Sequence, residues 1–202
     1  MQGAKATSGD KMKTENLPLY RVLYMIVKPL FYLIFRPEVE GSEHIPKSGA
    51  VILAGNHKSN LDCVLVAYST RRCVHFMAKD ELFHGVFARF FRSLGAIPVN
   101  RRIRDAEALS SAESVIKSGG IVGIFPEGRF NRSEETVLPF KPGAARMSVR
   151  CAVPIVPFAI VGGYRLFGKR VRIKFFRPIC SDNAPSLSLE LENTVRGELD
   201  KK

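Results

Sequence analysis

The stretch AGNHKSNLDC, residues 54–63, sets a histidine five residues ahead of an aspartate, between two apolar runs. An imidazole and a carboxylate withdrawn from water each cost free energy unless they satisfy one another. Brought together across a bend, the carboxylate of Asp62 can hold one ring nitrogen of His57, fix its tautomer and leave the other nitrogen free to accept a proton. That makes a general base. The chain has no G-x-S-x-G nucleophile elbow, so no protein serine is an obvious client, and a substrate hydroxyl is the alternative. Taken by itself the motif also fits a histidine satisfied within a core. A metal is not expected, because no further His/Asp/Glu cluster has ligand spacing. His44, His75 and His84 lack a carboxylate at motif spacing and read as structural or surface residues.

Such a pair needs a strand-loop-helix corner, and the flanking sequence supplies one. GAVILAG (49–55) is short, apolar and bounded by glycines, as a buried strand would be; LDCVLVAYS has the length and pattern of a helix. Asp62 then falls in the first helical turn, near the positive end of the helix dipole. Beyond it, CVHFMAK (73–79) reads as a strand, ELFHGVFARFFRSLG (81–95) as an amphipathic helix ending at Gly95, and AIPVNR as a strand. RDAEALSSAESVIKSGG is a helix stopped by two glycines, IVGIFPEG a strand running into a loop, and PGAARMSVRC a helix. VPIVPFAIVGG reads as a strand, RVRIKFFRPI alternates basic and apolar residues as an edge strand would, and SLSLELENTVRGELDKK closes the chain as a helix. Strands alternating with helices, without repeats or a linker, predict a single-domain α/β fold: a mostly parallel central sheet flanked by helices. A length of 202 residues suits one such domain.

The N-terminal region is divided differently. Residues 1–16 form a polar tail, and 17–40 a helical segment containing YRVLYMIVKPLFYLIF. This run is interrupted by Lys28 and Pro29 and is shorter than the ~20 residues a spanning helix needs. No small-residue cleavage site follows it, so it does not read as a signal peptide. Bulky apolar residues on nearly every face favour one helix kinked at Pro29, or two short helices, lying in a membrane interface over a helix folded onto the core. Residues 41–202 make the main domain. The 31 Lys and Arg against 19 Asp and Glu leave a net charge of +12, which attracts anionic partners such as an acidic membrane leaflet, a phosphorylated substrate or an acidic carrier protein. No specific nucleic-acid partner is expected, since recognised motifs such as RNP1 are absent. Cys63, Cys73, Cys151 and Cys180 are scattered without C-x-x-C spacing and read as reduced packing residues.

Four further blocks follow the histidine motif: GAIPVNR (95–101), FPEGR (125–129), LPFKPGAAR (138–146) and VPIVPF (153–158). With NHKSNLD, the first, second and fourth of these resemble, in order, the blocks of the glycerolipid acyltransferase family, notably its bacterial 1-acylglycerol-3-phosphate acyltransferases. The resemblance covers roughly residues 50–160. It implies that His57, supported by Asp62, deprotonates the sn-2 hydroxyl of lysophosphatidic acid for attack on an acyl thioester of acyl-carrier protein or coenzyme A. Phosphatidic acid for phospholipid synthesis is the product, and no cofactor beyond the acyl donor is required. The resemblance further assigns Lys79, Arg101 and Arg129 to the substrate phosphate, with Gly128 shaping the loop and Glu127 orienting the arginines or the glycerol hydroxyl. The family's third block is commonly F-P-E-G-T-R-S, whereas here it is FPEGRFNRS, so Arg132 takes the phosphate role if two residues are read as inserted. Leu82, Phe83, Phe87, Phe90 and Phe91 are more than one core stripe needs; most read as core, and some could line an acyl slot. The expected location is the cytoplasmic face of the cell membrane, as a peripheral, monotopic protein held by anionic lipids. The alternatives are another acceptor, glycerol 3-phosphate or a different lysophospholipid, and a non-catalytic basic membrane protein.

Overall fold

The computed structural model describes residues 18–100, 105–131, 133, 135–165 and 170–201. Strands β1 Glu38–Glu40, β2 Val51–Gly55, β3 Val74–Lys79, β4 Ile97–Val99, β5 Ile121–Ile124, β6 Ile155–Val161 and β7 Arg172–Phe175 join in one sheet, ordered β1-β7-β6-β2-β5-β3-β4. Strands β2 to β6 are mutually parallel, β7 runs antiparallel to β6, and β1 pairs parallel with β7. The helices are α1 Pro18–Phe35, α2 Leu61–Tyr68, α3 Ala88–Ser93, α4 Ala106–Lys117, α5 Gly143–Cys151 and α6 Ala184–Leu199. The mostly parallel α/β architecture is the one the strand-helix alternation predicts.

Every residue of β2 is buried, which is why its sequence is a continuous apolar run and not an alternating one: helices cover both faces. On one face, Ala108, Ala112, Val115 and Ile116 of α4 and Leu187, Leu191, Val195 and Leu199 of α6 present single stripes to the sheet. The carboxylate of Asp105 starts α4 by accepting the amides of Ala108 and Asn100, and these bonds hold its pKa below the ordinary range. On the other face, Leu65 and Val66 of α2 and Phe31 of α1 pack against Leu53, Val156 and Phe158.

Several expectations change. Helix α1 is continuous through Pro29, and Phe31 is its one buried residue. By length and composition alone it could cross a membrane. Residues 38–40 are not part of the N-terminal helical segment, because β1 pairs with β7 and so belongs to the sheet. That pairing also removes β7 from the edge. Its alternation reflects a strand with one solvated face, and a three-residue neighbour is too short to register in the sequence. The helix expected over 81–95 is broken into two 3-10 turns, Asp80–Phe83 and Gly85–Phe87, followed by α3. His84 is extended and Gly85 left-handed (φ 71°), a conformation that ends helical propagation. His84 does have a carboxylate partner, since its Nε2 lies 3.2 Å from Asp80 Oδ2 on the surface. None of the four cysteines is in a disulfide, and Cys180 is exposed, not packed.

Candidate active site

Strands β6, β2, β5 and β3 lie side by side and point the same way. Their carboxyl ends therefore deliver loops to one place, as in other open parallel sheets. His57 follows β2 by two residues, Phe125–Arg129 follows β5, Lys79 ends β3, and Tyr164 lies three residues past β6. The predicted pair forms: His57 Nδ1 is 2.9 Å from Asp62 Oδ2, and both residues are buried. The backbone amides of Lys58 and Ser59 also donate to Oδ2, at 2.7 and 2.8 Å. The other oxygen, Oδ1, accepts the phenol of Tyr164 at 2.7 Å. Asp62 thus accepts four hydrogen bonds, which aim Oδ2 at the imidazole and leave Nε2 as the ring nitrogen open to a ligand.

Two phenylalanines clamp that ring. His57 stacks on Phe125 with centroids 3.8 Å apart and planes 13° apart, and Phe130 packs obliquely at 4.5 Å. Glu127 is buried and works on the backbone. Its Oε1 accepts the His57 amide at 2.7 Å and its Oε2 the Leu138 amide at 2.9 Å. The Asn131 amide donates to the His57 carbonyl, tying the same two loops again. Burial pushes the Glu127 carboxyl up, and the two amide bonds oppose it. Both oxygens thus accept backbone amides, a role that sequence reasoning did not assign beside the expected orientation of arginines or a substrate hydroxyl. They staple the His57 loop to the loop after β5. Gly128 adopts φ 70°, a left-handed turn an L side chain resists, and the Lys141 side chain runs over it.

A cleft of about 840 Å³ opens beside His57. Lys79 and Arg129 line it as exposed cations, while α1 supplies Leu23, Val27 and Phe31 to its apolar wall. Of the apolar set on 81–95, Leu82, Phe90 and Phe91 line this cleft, Phe83 is in the core, and Phe87 is exposed. Arg101 and Arg132 lie outside the described residues. Among the described residues, no group of three or more His, Cys, Asp or Glu could hold a metal ion. The residues that sequence reasoning missed are Tyr164, Phe125, Phe130 and Asn56, whose amide brackets Ile160 and fastens the end of β2 to β6. Asn56 and Phe125 sat inside recognised blocks without a role. Tyr164 carried no signal.

A family profile described as Acyltransferase matches residues 36–161. The chain belongs to the acyltransferase family. This acyltransferase is 31% identical over 162 residues to human 1-acyl-sn-glycerol-3-phosphate acyltransferase alpha, covering 78% of the chain and 56% of the human protein. To the 1-acyl-sn-glycerol-3-phosphate acyltransferase of Bacillus subtilis it is 30% identical over 156 residues, covering 75% of the chain and 77% of the relative. The crystal structure of the 1-acyl-sn-glycerophosphate (LPA) acyltransferase PlsC from Thermotoga maritima superposes with a TM-score of 0.72 at 27% identity, covering 92% of this chain and 78% of that one. The chain spans a little over half the length of the mammalian relatives it matches.

Proposed function

We propose that this acyltransferase moves a fatty acyl group from an acyl thioester, on acyl-carrier protein or coenzyme A, to the sn-2 hydroxyl of 1-acylglycerol 3-phosphate, giving phosphatidic acid. The observation that carries the reading is the His57–Asp62 pair, 2.9 Å apart, opening onto a largely apolar cleft that Lys79 and Arg129 also line. The names of the relatives support the acceptor. His57 Nε2 takes the proton of the sn-2 hydroxyl, and the oxygen attacks the thioester carbonyl. Collapse of the tetrahedral adduct breaks the C–S bond, and the imidazolium returns its proton to the departing thiolate. Asp62 offsets the charge on the ring during the interval. Lys79 and Arg129, with Arg101 or Arg132, hold the phosphate, for which an arginine fork and a lysine point charge suit different oxygens. The apolar wall takes an acyl chain, and α1 lies in the cytoplasmic leaflet from which the lipid comes.

The test is acyl transfer by purified protein against 1-acylglycerol 3-phosphate, glycerol 3-phosphate and other lysophospholipids, each with both donor types. Product is expected with 1-acylglycerol 3-phosphate. The His57→Ala protein, folded by circular dichroism, should lose about a hundred- to ten-thousand-fold in kcat. Failure of the wild-type protein on every acceptor would reject the reading, and an active His57→Ala protein would reject the base.

A further inference from the structure

The cleft has two apolar flanks. One is α1, whose Leu23 and Val27 face inward while Met25, Ile26 and Leu33 are 74%, 60% and 69% exposed. The other is the segment of 3-10 turns before α3. Its Leu82 and Phe90 line the cleft, and between them Val86 and Phe87 project outside it, 92% and 67% exposed. Gly85 makes this projection possible: it is left-handed, and a Cβ placed on it would meet no atom within 4 Å, so the turn stands clear of the body. Single exposed apolar residues are ordinary, but an adjacent valine and phenylalanine at the tip of a glycine turn, beside a half-exposed leucine and phenylalanine, form a patch.

The charges around both flanks have one sign in excess. Arg21, Lys28 and Arg36 lie on or beside α1, where no acid occurs between residues 18 and 36. On the other flank Lys79, Arg89 and Arg92 outnumber Asp80 and Glu81, and Asp80 is paired with His84. Apolar tips within a basic rim match an anionic leaflet: hydrocarbon receives the tips and headgroups receive the rim.

We propose that the Val86–Phe87 turn is a second membrane contact, inserted in an anionic leaflet opposite α1, so that the cleft opens into the bilayer between them. A lipid would then enter sideways without leaving its leaflet. The inference rests on the bilayer-substrate reading above, but its test measures no activity, so either can fail alone. The chain contains no tryptophan, so Phe87→Trp and Ile26→Trp each provide a single reporter, one on each flank. With vesicles of phosphatidylglycerol and phosphatidylcholine, both emissions should shift to shorter wavelength and be quenched by bromines on the acyl chains. The double variant Val86→Ser/Phe87→Ser should partition onto these vesicles about tenfold or more weakly, as loss of two buried side chains of this size implies. Quenching of the α1 reporter without the turn reporter overturns the proposal and leaves α1 as the anchor. Quenching of neither removes the membrane placement altogether. An emission shift of Phe87→Trp that follows protein concentration without vesicles, or that needs an acidic carrier protein, assigns the turn to a protein partner and equally overturns the proposal.

Discussion

At the scale of single residues, Tyr164 links two features that are far apart in the chain. Its hydroxyl donates to Asp62 across 102 positions, while its ring meets Phe31 and Phe35 of α1 edge-on at 6.2 and 5.6 Å. Burial raises the phenol's pKa, and the neighbouring Asp62 carboxylate raises it further, so the group stays a hydrogen-bond donor. Tyr164 is a positioning residue. Tyr164→Phe keeps the packing and deprives Asp62 Oδ1 of its partner. A hydrogen bond to a charged group contributes about 1.5–3 kcal/mol, so kcat should fall about ten- to a hundredfold at an unchanged KM. Steady-state kinetics on 1-acylglycerol 3-phosphate decide this; a change confined to KM would assign Tyr164 to substrate binding instead. The His57–Asp62 pair was legible because both partners sit on one corner, five residues apart. Tyr164 was not, because a contact between the start of α2 and the loop after β6, 102 positions apart, leaves no local spacing.

At the scale of elements, β2 sets the position of His57, and its last residue shows how tightly. A Cβ on Gly55 would lie 2.1 Å from the Phe158 carbonyl oxygen and 2.5 Å from its ring. Backbone cannot yield as a side chain can, so Gly55→Ala should cost about 3 kcal/mol by overpacking, read as a lower urea midpoint. Gly143, the first residue of α5, has nothing within 4 Å of such a Cβ. There Gly→Ala should stabilise by about 0.4–1 kcal/mol through the unfolded chain. Similar effects at the two sites would mean that β2 and β6 are not packed as described. The glycine that bounds GAVILAG was legible as a strand end, but its close approach to Phe158 was not. The failure of the 81–95 helix has the opposite origin. Aromatic spacing matched a helix, and one left-handed glycine overrode it.

At the scale of the whole molecule, Glu198 closes the chain onto its far edge. This buried carboxylate near the end of α6 meets Arg172 at 2.9 Å, Lys174 at 3.3 Å and Lys201 at 3.2 Å, and Arg172 also reaches Glu40 of β1. Burial works to raise its pKa, but the hydrogen bonds of Lys201, Lys174 and Arg172 outweigh it and hold the group below the ordinary range. The folded value is thus below the unfolded one. Its stabilisation is complete above the ordinary glutamate value of about 4.3 and is lost as pH falls through the lowered folded value. Glu198→Gln should therefore cost about 2 kcal/mol near neutral pH, with the gap to wild type narrowing below about pH 4 in urea melts. A gap independent of pH would mean that lost packing, not charge, is responsible.

What the order of residues determined alone was whatever depends on near neighbours: strand and helix periods, the histidine-aspartate corner, the basic excess, and the blocks that follow one another as in the acyltransferase family. Those properties are set by backbone geometry and side-chain type within a few residues, and they survive without knowledge of the fold. The tertiary structure decided what distant segments do to each other. It brought four strand ends together, made Glu127 a staple between two loops, gave Asp62 its tyrosine, and covered β7 with a three-residue strand. Each is a pairing between positions tens of residues apart, where the free energy lies in burial and direct contact and so exists only once the chain has folded.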